Sequence, residues 1–226
     1  MYAKFIKRVM DFTLSLLALT VLSPVLLVLV VVGAVKMKGN PFFTQLRPGK
    51  NEKIFRLIKL RSMTCEKDAQ GNLLPDEMRL TRYGKFLRAS SLDELPELIN
   101  ILKGDMSIVG PRPQLVRDMV FMTAEQRRRH TVMPGLTGLA QVNGRNNISW
   151  EQKFEYDLAY IDSGITFWKD LKIILQTAGK VFEQADTVRE GTASDLDFGD
   201  YLLEKGAVTR EIYETRQNEA RELMGV

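Results

Sequence analysis

A mainly helical α+β domain with a β-hairpin, anchored by an N-terminal membrane helix, is the fold class that these 226 residues predict. Three observations carry it: an uncharged apolar run from Phe12 to Val35, two apolar strands flanking a Pro-Gly turn within residues 41–63, and helical apolar stripes from there to residue 182. The length suits one globular domain with a sizeable core plus an extra segment, and no internal repeat is present.

The apolar run reads FTLSLLALTVLSPVLLVLVVVGAV. As a straight helix it reaches about 36 Å, enough to cross a hydrocarbon core of about 30 Å. It is too long for a signal peptide, and no small-x-small cleavage site follows it. Ser23-Pro24 divides it into halves of about 18 Å, close to one leaflet. Pro24 can bend a helix there, and Ser23 can bond a freed carbonyl. Lys4, Lys7 and Arg8 precede the run and Lys36 and Lys38 follow it, a distribution that favours a hairpin keeping both clusters cytoplasmic. A spanning helix and a re-entrant one both satisfy these residues. Seven of the 32 basic residues but only one of the 28 acidic ones, Asp11, lie in the first fifty positions, leaving 25 basic against 27 acidic in the remainder. So local an excess argues for a membrane surface and against a nucleic-acid duplex, which would need a basic stripe over the folded domain. The single Cys65 excludes an internal disulfide, fits a reducing compartment and reads as a buried apolar residue.

Residues 41–63, PFFTQLRPGKNEKIFRLIKLRSM, form the expected hairpin, with Pro48-Gly49 supplying the φ values of a type II turn. On its second strand Lys59 and Arg61 are two apart, so they share a face that can meet phosphate. Residues 65–82 carry turn chemistry and read as a loop. SSLDELPELI follows, with Asp93 and Glu94 side by side. Ser91 and Glu94 fit a capping box, which would put both acids in the first turn of a helix. Pro96 suits a helix start better than a fifth position, and a start near Leu95 would leave both carboxylates at the helix mouth. The helix is expected to run from the Asp93 region to Leu102, with Leu95, Leu98, Ile99 and Leu102 as its apolar stripe. Gly110-Pro111-Arg112-Pro113 reads as a stiff strut that presents Arg112 with little freedom left to lose. In PGLTGLAQVNGR, Gly135, Gly138 and Gly144 precede Arg145, and glycines let backbone N–H groups approach an anion; the spacing matches no nucleotide-binding fingerprint. SWEQKFEYDLAYID is an amphipathic helix with Phe154, Leu158 and Ile161 on one face and Asp157 near it. A second amphipathic helix covers 165–182. Arg127-Arg128-Arg129-His130 is expected on a solvated or lipid-facing helix surface. The C-terminal VTREIYETRQNEARELMG reads as a charged helix without an assigned role.

No cysteine or histidine cluster can hold zinc, and the one histidine offers no Ser-His-Asp set. Two adjacent acids with Lys59, Arg61, Arg88, Arg112 and Arg145 elsewhere suit phosphate chemistry, in which carboxylates hold Mg2+ or attack and cations stabilise phosphoryl oxygens. A membrane-tethered glycosyltransferase releasing UDP and a non-enzymatic anionic-lipid binding module are the rival classes.

The blocks KRVMDFTLSLLALTVLSPVLL, FTQLRPG, FRLIKLRSM, LRASSLDELPELINILKGDMSIVGPRP and PGLTGLAQVNGR with WEQKFEYDLAYI run in order from Lys7 to Ile161. Together they resemble the short monotopic phosphoglycosyl transferases of the bacterial sugar transferase family. The resemblance implies transfer of a phosphosugar from a UDP-sugar to undecaprenyl phosphate with release of UMP, dependent on Mg2+, at the cytoplasmic face of the bacterial inner membrane. It implies that Asp93 is the nucleophile that takes the phosphosugar covalently and that Glu94 assists proton and metal chemistry, the two acids together holding the Mg2+. Lys59, Arg88, Arg112 and Arg145 match positions around the phosphates, Arg61 lies beside them in sequence, and Asp157 is carried as a support residue of the substrate site. It also implies that Ser23-Pro24 belongs to a re-entrant helix. The expected organisation is a membrane helix with basic flanks over 1–38, a catalytic domain over 39–186 and a C-terminal extension over 187–226.

Overall fold

The structure, a computed structural model, describes residues 1–144, 148–183 and 196–225. Helix α1, Lys7–Lys36, follows a π-helical turn at Tyr2–Ile6. Its apolar composition makes a helix of about 45 Å that is long and apolar enough to cross a membrane. The helix is continuous through Pro24, so the expected division into two separate halves is not seen. The reason is local: Pro24 has no N–H for the Thr20 carbonyl, and the Ser23 hydroxyl donates to that same oxygen at 2.8 Å.

One face of α1 lies along the rest of the protein for nearly its whole length, with Lys7, Asp11, Ser15, Leu29 and Gly33 buried on it. The opposite face exposes Phe12, Leu16, Leu17, Val21, Val25, Val28, Val31 and Val35. The docked face is polar at its start. Asp11 accepts from the Ser107 hydroxyl at 2.7 Å and from the Ile108 N–H at 3.1 Å, and Arg8 donates to the Leu102 carbonyl at 2.9 Å. Towards the other end, the Tyr83 hydroxyl donates to the Leu29 carbonyl at 2.6 Å, and Gly33 passes against Pro41 and Tyr83.

Strands β1, Phe42–Pro48, and β2, Ile54–Leu60, pair antiparallel with Phe42 opposite Leu60 and Pro48 opposite Ile54. The connection is longer than a type II turn at Pro48-Gly49. Gly49 has an extended backbone, and the positive φ values fall on Asn51 and Glu52. Residues 65–82 are not wholly loop, because the short helix α2, Asp76–Arg79, interrupts them, and Cys65 is exposed rather than buried. Helix α3, Arg82–Ser90, begins on a Thr81 cap whose hydroxyl accepts from the Gly84 N–H. Helix α4, Glu97–Lys103, follows, then β3, Ser107–Val109.

The fully buried Asn100 of α4 accepts from the Ile58 N–H at 3.1 Å and donates to the Arg56 carbonyl at 2.8 Å, so α4 is fastened to the backbone of β2. Phe55, Leu57, Leu98, Ile101 and Met106 close the core beneath it, with Ala18 and Leu19 of α1 as one wall. Short helices α5, Val116–Met119, and α6, Ala124–Arg127, lead through a 3-10 turn at Arg128–Thr131 to β4, Gly135–Thr137. β4 pairs parallel with β3, Ser107 opposite Gly135 and Val109 opposite Thr137. Here the glycines serve backbone crossing: a Cβ on Gly135 would lie 2.1 Å from the Gly110 nitrogen, and one on Gly138 would lie 2.1 Å from the Gly110 oxygen. Helices α7, Leu139–Val142, α8, Trp150–Asp162, and α9, Phe167–Glu183, complete this part. Helices α10, Phe198–Glu204, and α11, Arg210–Met224, pack against α5 and α8.

Candidate active site

The two acids sit in a 3-10 turn, Leu92–Glu94, between α3 and α4. Ser91 ends α3 in the left-handed region at φ 55 and makes no side-chain cap, so the capping box is not formed. Pro96 precedes the first helical residue, Glu97, where its missing N–H costs nothing. The helix therefore begins four residues after Asp93, and both carboxylates stand at its mouth.

Their surroundings differ. Glu94 accepts from the Lys59 ammonium at 2.8 Å and from the Arg112 guanidinium. Burial pushes its carboxyl up, but Arg112 and Lys59 outweigh burial and hold it well below the usual carboxylate range. Glu94 in turn keeps Arg112 firmly protonated. Asp93 has no ion pair or hydrogen bond of its own among the described residues. Burial and the neighbouring Glu94 raise its carboxyl to about 6 against the pull of Lys59, Arg112 and Arg88. A third acid, Glu97, is 1% exposed and lies 3.1 Å from the Lys59 ammonium. Burial pushes it up to about 6 despite Lys59. Lys59 thus bridges two carboxylates one helical turn apart.

Arg88 approaches from α3, its Nε donating to the Ser62 hydroxyl at 3.0 Å. Arg112 is aimed by the strut Gly110-Pro111-Arg112-Pro113, each residue of which makes a backbone hydrogen bond. The Gly110 N–H donates to Thr137, the Pro111 carbonyl accepts from Gly135, the Arg112 carbonyl accepts from Arg129 at 2.6 Å, and the Pro113 carbonyl accepts from Arg47 at 3.1 Å. Arg129 is locked by Asp157 through contacts of 2.9 and 2.6 Å, with both side chains 2% exposed.

Lys59, Arg88, Arg112, Asp93 and Glu94 are therefore brought together. Asp157 is not brought to these residues; it is buried as the counter-charge of Arg129. Arg61 is not brought in either. β2 ends at Leu60, so strand alternation no longer carries Arg61 to the face of Lys59, and its guanidinium reaches Cys65 and the Phe42 carbonyl instead. Arg145 lies outside the described residues.

The run from Arg127 to His130 is not one solvated surface. Arg127 pairs with Glu52 and Arg128 with Glu125 and Asp162, while Arg129 and His130 are buried. Burial, with Arg129 and Arg127 nearby, lowers the His130 imidazole to about 3, which removes it as a base near neutral pH. Sequence reasoning missed Glu97, Arg47 and Arg129. The spacing of Glu97 three residues after Glu94 was the available signal for the first.

Among the described residues no group of three or more His, Cys, Asp or Glu can hold a metal alone. The donor set still fits Mg2+, which is bound through one or two carboxylates completed by substrate phosphates: among the described residues neither Asp93 oxygen has a partner, and Glu94 stands next to it.

The chain matches the bacterial sugar transferase family over residues 2–184. It is 50% identical over 176 residues to an uncharacterized sugar transferase, EpsL, of Bacillus subtilis (strain 168), covering 78% of this chain and 87% of that one. It is 42% identical over 186 residues to a UDP-glucose:undecaprenyl-phosphate glucose-1-phosphate transferase of Klebsiella pneumoniae, covering 78% of this chain and 40% of that one. A protein with the same activity in its name from Caulobacter vibrioides (strain ATCC 19089 / CIP 103742 / CB 15) is 39% identical over 183 residues, 76% of this chain and 67% of that one.

Proposed function

Since the chain belongs to the bacterial sugar transferase family, we propose that it transfers a sugar 1-phosphate from a UDP-sugar to undecaprenyl phosphate and releases UMP, in two steps through Asp93. In the first, an Asp93 oxygen forms a bond to the sugar-bearing phosphorus, and the bond from that phosphorus to the UMP oxygen breaks, UMP leaving with the electron pair. In the second, a phosphate oxygen of the lipid attacks the same phosphorus and the Asp93 carboxylate departs, giving the lipid diphosphosugar. Splitting the transfer lets one site serve a soluble and a membrane substrate in turn.

The observation that carries this reading is the unequal treatment of the two acids. Glu94 is neutralised by Lys59 and Arg112, whereas Asp93, adjacent and without an ion pair or hydrogen bond among the described residues, would have its oxygens available to a phosphorus. The names of the Klebsiella and Caulobacter relatives supply the substrate class. Lys59, Arg88 and Arg112 would face the phosphates, and Glu94 orients the two cations nearest to it. Asp93 and Glu94 would hold Mg2+, which when bound neutralises pyrophosphate charge.

The monotopic placement belongs to the same proposal: α1 enters and leaves one side of the inner membrane and keeps both ends cytoplasmic. In support, Tyr2 and Lys7 at its start meet Asp170 at 2.8 and 2.6 Å, while Leu29 and Gly33 near its end meet Tyr83 of the same domain. The test is incubation with UDP-sugar and Mg2+ but no lipid. Up to one UMP per active site and a phosphosugar mass on the peptide holding Asp93 are expected. Release of UDP, or of UMP only when lipid is present with no adduct under rapid quench, would overturn the two-step reading.

A further inference from the structure

The family match ends at residue 184, yet residues 196–225 are set into the catalytic domain. The junction is Phe198, 4% exposed at the start of α10. Two lines of contact run from this residue to the segment 112–115.

The first is polar. The Phe198 N–H donates at 2.9 Å to one oxygen of the buried Asp118, whose other oxygen accepts the Leu115 N–H at 3.0 Å, three residues beyond Arg112. The second is aromatic. The Phe198 ring meets Phe154 of α8 edge-on with centroids 5.1 Å apart, the Arg129 guanidinium lies over the Phe154 ring at 5.9 Å, and Arg129 holds the Arg112 carbonyl. Helix α11 adds a third support from below. Ala220 and Met224 pack with Val116 and Leu46, and Leu46 adjoins Arg47, the donor to the Pro113 carbonyl.

A segment that only covered apolar surface would need the Phe198 ring and nothing more. Here both the ring and the backbone N–H are committed, one leading to the Arg112 carbonyl of the strut and the other to Leu115, two residues past its end. We infer that the C-terminal segment is a brace that positions Arg112 against Glu94, with Phe198 the positioning residue that joins its two arms. Rigid placement of a phosphate-facing cation acts on the rate of the bound complex more than on substrate affinity.

The inference rests on the proposed reaction for its kinetic readout, and amide exchange supplies one that does not depend on it. Full-length wild type, Phe198→Ala and Phe198→Leu are compared in detergent. In Phe198→Ala, kcat for UMP release should fall about tenfold while KM for the UDP-sugar changes less than about twofold. Amide exchange should accelerate at Arg112, 114–119 and 128–131 but not in α4, Pro111 and Pro113 having no amide hydrogen, and Phe198→Leu, which keeps the same backbone bond as Phe198→Ala and more of the apolar bulk, should restore most of both. Should Phe198→Ala fail to fold, a smaller change of the same pattern in Phe198→Leu is the expected result. Exchange at Arg112 and 114–119 unchanged in both variants overturns the brace. So does a loss of activity that only tracks a general rise in exchange throughout the protein. A wild type that releases no UMP overturns the reaction instead, and the exchange pattern then decides the brace alone.

Discussion

Replacing Asp157 by Asn separates what the buried ion pair does for stability from what it does for the site. Arg129 and Asp157 are each 2% exposed and meet at 2.6 Å. Asparagine keeps the volume and one acceptor but leaves a guanidinium in the interior without its counter-charge. Breaking one side of a buried pair costs about 3–5 kcal/mol, and in a protein of this length each kcal/mol lowers Tm by about 2–4 °C, so Tm should fall by about 6–20 °C. The double replacement Arg129→Met with Asp157→Leu removes both charges and should recover most of that loss. About 1–3 kcal/mol should remain, for the Arg112 carbonyl left without its donor. Activity should not recover, because the strut has lost the bond that aims Arg112; kcat per folded molecule should stay about tenfold low. Thermal unfolding in detergent and UMP release on the same samples check both parts. A double variant as active as wild type would refute the positioning role, and a single variant destabilised by under about 1 kcal/mol would refute the charge argument.

Asp93→Asn should lower turnover by about four to six orders of magnitude and abolish the phosphosugar adduct while thermal unfolding stays unchanged, which mass spectrometry and calorimetry check. With the Asp93 carboxyl raised to about 6, the nucleophile is protonated below that value, so the rate of the UMP burst should climb with pH through about 6 and level off above it. Glu94→Gln removes one cause of that rise and should shift the limb to lower pH, whereas Glu97→Gln should leave it in place; a stopped-flow series from about pH 5 to 8 reads both. An Ala3→Cys probe in a Cys65→Ala background, needed because Cys65 is exposed, should stay unlabelled in intact cells by an impermeant thiol reagent. Replacing Ser23 and Pro24 by Ala and Leu should render part of the population labelled.

The hairpin and the long helix were legible because each rests on local chemistry, strand alternation and an uncharged run; the start of α4 is expected in the Asp93 region, with Leu95 as the alternative, and lies at Glu97, where the proline without a donor puts it. The pairing of Lys59 and Arg112 with Glu94 was not, since those residues are 35 and 18 positions from it and only the fold joins them. Arg129 misled for a related reason. Three consecutive arginines read as solvated, and nothing within the run shows that Asp157, 28 residues on, waits inside to neutralise the last one. The glycines of residues 134–144 signalled close approach correctly, but Gly135 and Gly138 approach the Gly110 backbone rather than an anion.

The polar start of α1 bears on how the protein can be handled. Asp11 is the acceptor for the Ile108 N–H on β3, and Ala18 and Leu19 line the same core as Phe55 and Ile101. A membrane tether joined by a linker can be cut away to leave a soluble enzyme; here the cut would open the side of the core and strand a backbone donor. Amphiphiles must therefore coat the outer face of the helix and leave its inner face alone, and whatever solubilises this protein has to carry the helix along with it.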